Sequence, residues 1–248
     1  MVHFEKRPMP PRETCLWYHT MDLPGVGEVK GYWDLRGHEA DYLGGVQLSG
    51  RRVLEVGPAS GALTFWMEQQ GAEVVSLEAP ADYKMDYVWD IPELEPPDMA
   101  KRVYTSQTGL ACLHNSWWFA HGAHHSKVQI YYGSAYSIPP ELGRFDIVTL
   151  AAVLLHNKSP HLILEQAARV AAEAVVVTEM MPVGEGRNSG HMIFIRENTD
   201  VYDGWFHLPP KLTVRMLATM GFSNSTITSH WQQMNGEKFE MYTVVARK

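Results

Sequence analysis

Two carboxylates, two glycines and a histidine are spaced along this 248-residue chain in a way that suits ligand chemistry. Glu55 stands two residues before Gly57, and Gly61 follows four residues later, in the run RRVLEVGPASGALTFW. The apolar start and the glycine-bearing middle predict a buried strand that turns into a helix. Such a turn presents free backbone N–H groups and the positive end of a helix to whatever lies above it. Pro58 and Ala59 complete the turn. Glu78 closes the next apolar run, VVSLE, about 20 residues further on, where a carboxylate can accept a pair of ribose hydroxyls. His156 follows a later apolar run, and an imidazole, with its ordinary pKa near ~6.5, can take a proton from an acceptor hydroxyl or amine.

Other glycine turns are excluded by their spacing. No GxxxxGK[ST] run is present, which removes phosphate transfer through a P-loop. A dinucleotide turn needs glycines at 57, 59 and 62, and the chain supplies Gly57, Ala59 and Ala62. The middle glycine is the one that lets a pyrophosphate approach the backbone, so a nicotinamide oxidoreductase is disfavoured.

These residues are positioned by alternating apolar runs. After the first strand comes the helix pattern GALTFWMEQQG, with Gly71 as its stop, and then the strand AEVVSLE. Residues 127–133, 144–153 and 173–180 are further short, β-branched runs that suit buried parallel strands. HLILEQAARVAA has helical spacing, and PPKLTVRMLATMGF begins at prolines and ends at Gly221. STITSH and MYTVVARK, separated by the turn-rich MNGEK, read as a terminal strand pair. The alternation predicts an α/β fold with a doubly wound, Rossmann-like, mostly parallel sheet over 46–248. Residues 1–45 precede it and are rich in proline and aromatics, which predicts an irregular or partly helical cap.

Four segments in order resemble the class I S-adenosylmethionine (SAM)-dependent methyltransferases. Glu55, Gly57 and Gly61 resemble that family's [D/E]xGxGxG turn, with Ala59 in place of the middle glycine. Glu78 matches its ribose-binding acid, YYGSAYSIP its adenine-side loop with Ser134 in place of the usual acid, and GRFDIVTLAAVLLHNKSP its fourth motif. The resemblance implies SAM as cofactor, S-adenosylhomocysteine (SAH) as product, and cofactor contacts from Glu55, Gly57, Pro58, Ala59, Gly61, Glu78, Ser134, Ala135, Tyr136 and Ala151. Within the family, CLWYHTMDLPGVGEVKGYWDLRG and GWFHLPPKLTVRMLATMGF are similar to the branch containing tRNA wobble-uridine carboxymethyl-transfer enzymes. Lys30 with Gly31 matches a pair that contributes to the carboxylated cofactor there, whereas the tyrosine of that branch's LYH motif is Leu155 here. A non-catalytic SAM-binding module is a further reading, opposed by the presence of both acids.

On the acceptor side, His156 is the candidate base. His19, Tyr32 and Arg36 in the first 45 residues, and Trp205 and His207 in DGWFHLPP, are candidate substrate contacts. Trp17, Tyr18, Tyr32 and Trp33 are expected to form a lid over an apolar or aromatic acceptor, or to anchor the segment. MMPVGEGRNSG is expected to move over bound ligand. On a helix His121 and His125 stand one turn apart, with His114 on the same face. That segment supplies no carboxylate ligand, so no metal is assigned to it.

Composition limits the partners. The formal charge of −7, from 21 basic and 28 acidic residues, withholds the basic face that binds nucleic acid by counterion release. A small-molecule acceptor is therefore expected, with tRNA the alternative. The two cysteines, Cys15 and Cys112, form no CxxC pair. No run approaches the ~20 apolar residues of a membrane span, and no leader is recognised, so a cytoplasmic protein without membrane partners is expected.

Overall fold

The computed structural model describes residues 2–83, 86, 99–194 and 204–248, with side chains of the long third helix from 108 onward. Chain order begins with β1 (Met21–Leu23), β2 (Gly27–Val29), β3 (Trp33–Asp34) and α1 (Glu39–Tyr42). There follow β4 (Arg52–Val56), α2 (Ala62–Gln69), β5 (Glu73–Glu78), α3 (Met99–His124), β6 (Gln129–Tyr132) and β7 (Phe145–Ala151). The remainder is α4 (Pro160–Val170), β8 (Ala171–Met180), β9 (Ile193–Phe194), β10 (Phe206–His207), α5 (Pro210–Thr219), β11 (Asn224–Met234) and β12 (Glu237–Arg247).

Eight strands form one sheet in the order β3-β11-β12-β8-β7-β4-β5-β6. Strands β4 to β8 are parallel, while β12 runs antiparallel to β8, and β11 to β12. This is the expected doubly wound sheet with its terminal hairpin, which turns at Asn235 and Gly236, both at positive φ. The chain leaves β4 toward β5 on one side and returns to β7 on the other. That reversal opens a crevice beyond the carboxyl ends of β4 and β7.

Each face of the sheet buries its own core. One is built from β4 and β5 side chains with α2, α3 and the N-terminal segment, around Phe65, Met67, Trp117 and Ile130. The other collects Leu164, Leu217, Phe222 and Tyr242 beneath α4 and α5. Helix α4 ends at Val170 because Ala171 is already in the sheet, opposite Phe145.

The first 45 residues are more ordered than their composition suggests. β1 and β2 form a hairpin, and β3 adds to the main sheet beside β11 through Trp33–Met234 and Asp34–Gln233. Gly31 is required by close backbone approach: a Cβ there would lie 2.4 Å from the carbonyl carbon of His19. The hydroxyls of Thr178 and Thr243 donate to the carbonyl of Tyr42 at 2.6 and 3.1 Å, pinning the end of α1 over β8 and β12.

Candidate active site

The crevice holds a cavity of about 300 Å³. Its floor is the β4–α2 turn, with Glu55, Gly57, Pro58 and Ala59, and the end of β5, with Leu77 and Glu78. The loops after β6 and β7 supply Ser134 to Tyr136 and Ala151 to Val153, followed by His156 and Asn157. The N-terminal segment adds Tyr18, His19, Trp33, Leu35 and Tyr42.

The turn is built so that its backbone faces the cavity. Gly57 and Gly61 adopt φ of 75° and 94°, and Ala59 adopts 50°, a left-handed conformation that side chains resist. The N–H of Gly57 donates to the carbonyl of Leu77 at 2.9 Å, which ties the turn to β5. A Cβ on Gly57 would meet Cγ2 of Val153 at 2.8 Å. Gly61 caps α2 and stands one step behind the residues that line the cavity.

Glu55 is buried, and one of its oxygens accepts the hydroxyls of Thr64 at 2.5 Å and Ser76 at 2.9 Å. Burial pushes its pKa up to about 7, more than the two hydroxyls draw it down. Glu78 accepts the N–H of Ala59 at 3.3 Å on one oxygen and that of Ala79 at 2.8 Å on the other. Burial raises it, too, to about 7. Each carboxylate oxygen has a further lone pair, so Glu78 keeps accepting capacity toward the cavity.

Ser134 accepts the N–H of Tyr136 at 3.2 Å and shapes its own loop. The Tyr136 hydroxyl donates to Asp86 and accepts the N–H of Ser159 at 3.1 Å. Asp86 also accepts the N–H of Lys158 at 2.7 Å, so one carboxylate joins the loops that follow β6 and β7. His19 is buried; its N–H donates to Ser60 Oγ at 2.9 Å, and its Nδ1 lies 3.2 Å from the same oxygen. Burial lowers its pKa to about 4, which keeps the ring neutral.

The remaining expected substrate contacts lie elsewhere. Arg36 is held by Asp34 through two bonds of 2.8 and 2.7 Å, by Asp22 at 2.9 Å and by Glu28 at 3.0 Å, away from the cavity. Three carboxylates outcompete any inward position. Tyr32 is exposed and meets Tyr18 edge-on, with ring centroids 6.3 Å apart, outside the lining. Trp205 and His207 support the loop from outside: the N–H of Trp205 donates to the carbonyl of Leu155 at 2.7 Å. Of the four lid aromatics, Tyr18 and Trp33 line the cavity, whereas Trp17 packs on Phe119. The segment expected to move is tied at Arg187 to Glu240.

The histidine cluster is dispersed by hydrogen bonds. His125 leaves the helix at φ 50°, so the one-turn spacing to His121 is not realised. Nε2 of His121 faces the carbonyl of Val128 at 3.2 Å, that of His114 the carbonyl of Ala79 at 2.9 Å, and His124 stacks on Phe65. Among the described residues no group of three ligating side chains is placed to hold a metal. No helix there is long and apolar enough to cross a membrane.

Several residues escaped the sequence reading, Glu179 among them. Glu179, buried in β8, accepts the N–H of Leu154 at 2.7 Å, at the start of the short helical turn carrying His156. A lone carboxylate inside the apolar run AVVVTEM was the available signal, since an isolated buried charge demands a partner. Tyr42 and Leu35 gave no such signal, because nothing local ties them to the crevice.

Residues 33–204 match a protein family described as a methyltransferase domain. No curated protein sequence matches the chain. Among solved structures, the N-terminal domain of EvdMO1 with SAH bound is similar over 95% of this chain and 93% of its own, at 18% identity and a TM-score of 0.55. The Burkholderia thailandensis 1,6-didemethyltoxoflavin-N1-methyltransferase, with 1,6-didemethyltoxoflavin and SAH bound, is similar over 85% and 76%, at 14% identity and 0.52. A putative methyltransferase from Bacillus halodurans C-125 is similar over 85% and 98%, at 15% identity and 0.53.

Proposed function

Since the chain belongs to the methyltransferase-domain family, with the class I SAM-dependent fold, we propose that it transfers a methyl group from SAM to an oxygen or nitrogen of a small molecule. The observation that carries this reading is a single cavity bordered by the Glu55–Gly57–Ala59 turn, by Glu78 and by His156. The SAH-bound relatives of similar fold support the choice of cofactor.

The residues present suit that cofactor. Its ribose offers two hydroxyl donors, and Glu78 retains free lone pairs toward the cavity. Gly57 leaves room where a side chain would close the turn against Val153. The loop from Ser134 to Tyr136 borders the same cavity at the end of β6, on the adenine side of the family pattern. Glu55, held by Thr64 and Ser76, places a carboxylate beneath the turn for the ammonium group of the amino-acid end. When bound, the cofactor supplies a methyl group already activated on a sulfonium.

What the chain itself contributes is alignment, exclusion of water and removal of one proton. His156 borders the cavity just after β7, and we assign it the proton of the acceptor. His156→Ala is expected to lower kcat about 100-fold at pH 7, with added imidazole restoring part of the loss. The test of the reaction is incubation with methyl-labelled SAM and either a pool of small hydroxylated and N-heterocyclic compounds or total tRNA. Label in the small-molecule pool supports the proposal. Label confined to tRNA would transfer the assignment to the RNA-modifying branch.

A further inference from the structure

The acceptor half of the cavity can be separated from the cofactor half by the sheet order. Glu78 ends β5, whereas Tyr42 is pinned over β8 by Thr178. With β4 and β7 between them, these strands are about 14 Å apart at the usual strand spacing. The β8 side is walled by Tyr18, Trp33, Leu35 and Tyr42, all from the N-terminal segment, and His156 follows β7 between the two halves.

That wall holds no positive charge. Among the described residues lining the cavity there is no lysine or arginine. The cations of the N-terminal segment turn outward: Arg36 is held by three carboxylates, and Lys30 is exposed, 3.9 Å from Glu28. His19 is buried against Ser60, and the buried titratable group of β8, Glu179, is itself an acid. A carboxylate or phosphate entering here loses its water and meets no cationic side chain among the described lining residues. A planar uncharged ring instead finds three aromatic side chains and a leucine.

We propose that the acceptor is an uncharged aromatic molecule whose nucleophilic oxygen or ring nitrogen carries a proton, selected by Tyr18, Trp33, Leu35 and Tyr42. This rests on the methyl-transfer reading above. In the step, a lone pair on that atom attacks the methyl carbon and the carbon–sulfur bond breaks with its pair left on sulfur. His156 takes the proton and passes it to solvent.

The test is calorimetry on the SAH-loaded full chain with phenols and their carboxylate counterparts, 2-naphthol and 2-naphthoate first. The expected result is at least tenfold tighter binding of the phenols. Trp33→Ala should lose that binding at least tenfold while SAH still binds, which also reports that the variant is folded. Tyr18→Arg, at the half-buried rim, should narrow the preference by strengthening naphthoate. Equal or tighter binding of the carboxylates, no aromatic binding to the SAH-loaded protein, or indifference to both variants would overturn the proposal. Failure of SAH itself to bind would overturn the methyl-transfer reading instead, and the acceptor assignment with it.

Discussion

Glu179 on β8 accepts the backbone N–H of Leu154 at 2.7 Å, and the N–H groups of Val153 and Leu155 are turned toward the same carboxylate. A strand that lines no part of the cavity thereby fixes the turn that presents His156 to it. Glu179→Ala leaves buried donors unpaired, at a cost of about 1–3 kcal/mol in stability. It is expected to lower kcat about tenfold or more, with SAH affinity changed no more than a few-fold. Glu179→Gln, whose amide oxygen still accepts, should recover most of the turnover. Steady-state kinetics on both variants, with SAH calorimetry, separates positioning from general loss of structure.

Three buried carboxyls set a pH dependence of stability with a definite sign. Burial raises Glu55 and Glu78 from 4.5 to about 7, and Glu179 to about 8. Between pH 4.5 and 8 the folded chain therefore binds more protons than the unfolded one, and this contribution falls as pH rises. Thermal unfolding without cofactor, followed from pH 5.5 to 8, should show Tm loss with a shallower slope in Glu179→Gln. An unchanged slope in that variant contradicts the assignment of Glu179 as a buried titrating acid.

Cofactor affinity responds oppositely. A protonated Glu78 loses accepting capacity, so SAM binding should weaken below pH 7, approaching tenfold per pH unit. In Glu78→Gln binding should be weak throughout and its pH profile flatter. Calorimetric titrations at pH 5.5, 6.5 and 7.5 read both effects.

Gly57 is required twice, by its φ of 75° and by the 2.8 Å approach of Val153 to any added Cβ. Gly57→Ala should cost about 1–2 kcal/mol and reduce SAH affinity at least tenfold. Pairing it with Val153→Ala relieves the contact and not the backbone strain. The double variant is therefore expected to recover part of the affinity only.

The sheet was legible because buried parallel strands are short β-branched runs between glycine and proline stops, as in RRVLEVG and RFDIVTLAAV. The grouping of Glu55, Glu78 and Ser134 around one cavity was legible because they lie at strand ends in fixed order. The placing of Leu35 and Tyr42 at the same cavity was not. Arg36 and Tyr32 are close in sequence to Trp33 and Leu35, yet the pull of Asp22, Glu28 and Asp34 turns Arg36 away. Tyr42 is held beside the cavity by Thr178 and Thr243, each more than 130 residues away in sequence, and its ring meets that of His230. Contacts of that range leave no local pattern.

The most direct test is calorimetric titration of the purified chain with SAM and SAH, beside Glu78→Ala and with NADH as control. One-site micromolar binding of both ligands is expected, weakened at least a hundredfold in the variant, with no binding of NADH. Binding of neither ligand by a folded chain, or undiminished binding by Glu78→Ala, would contradict it.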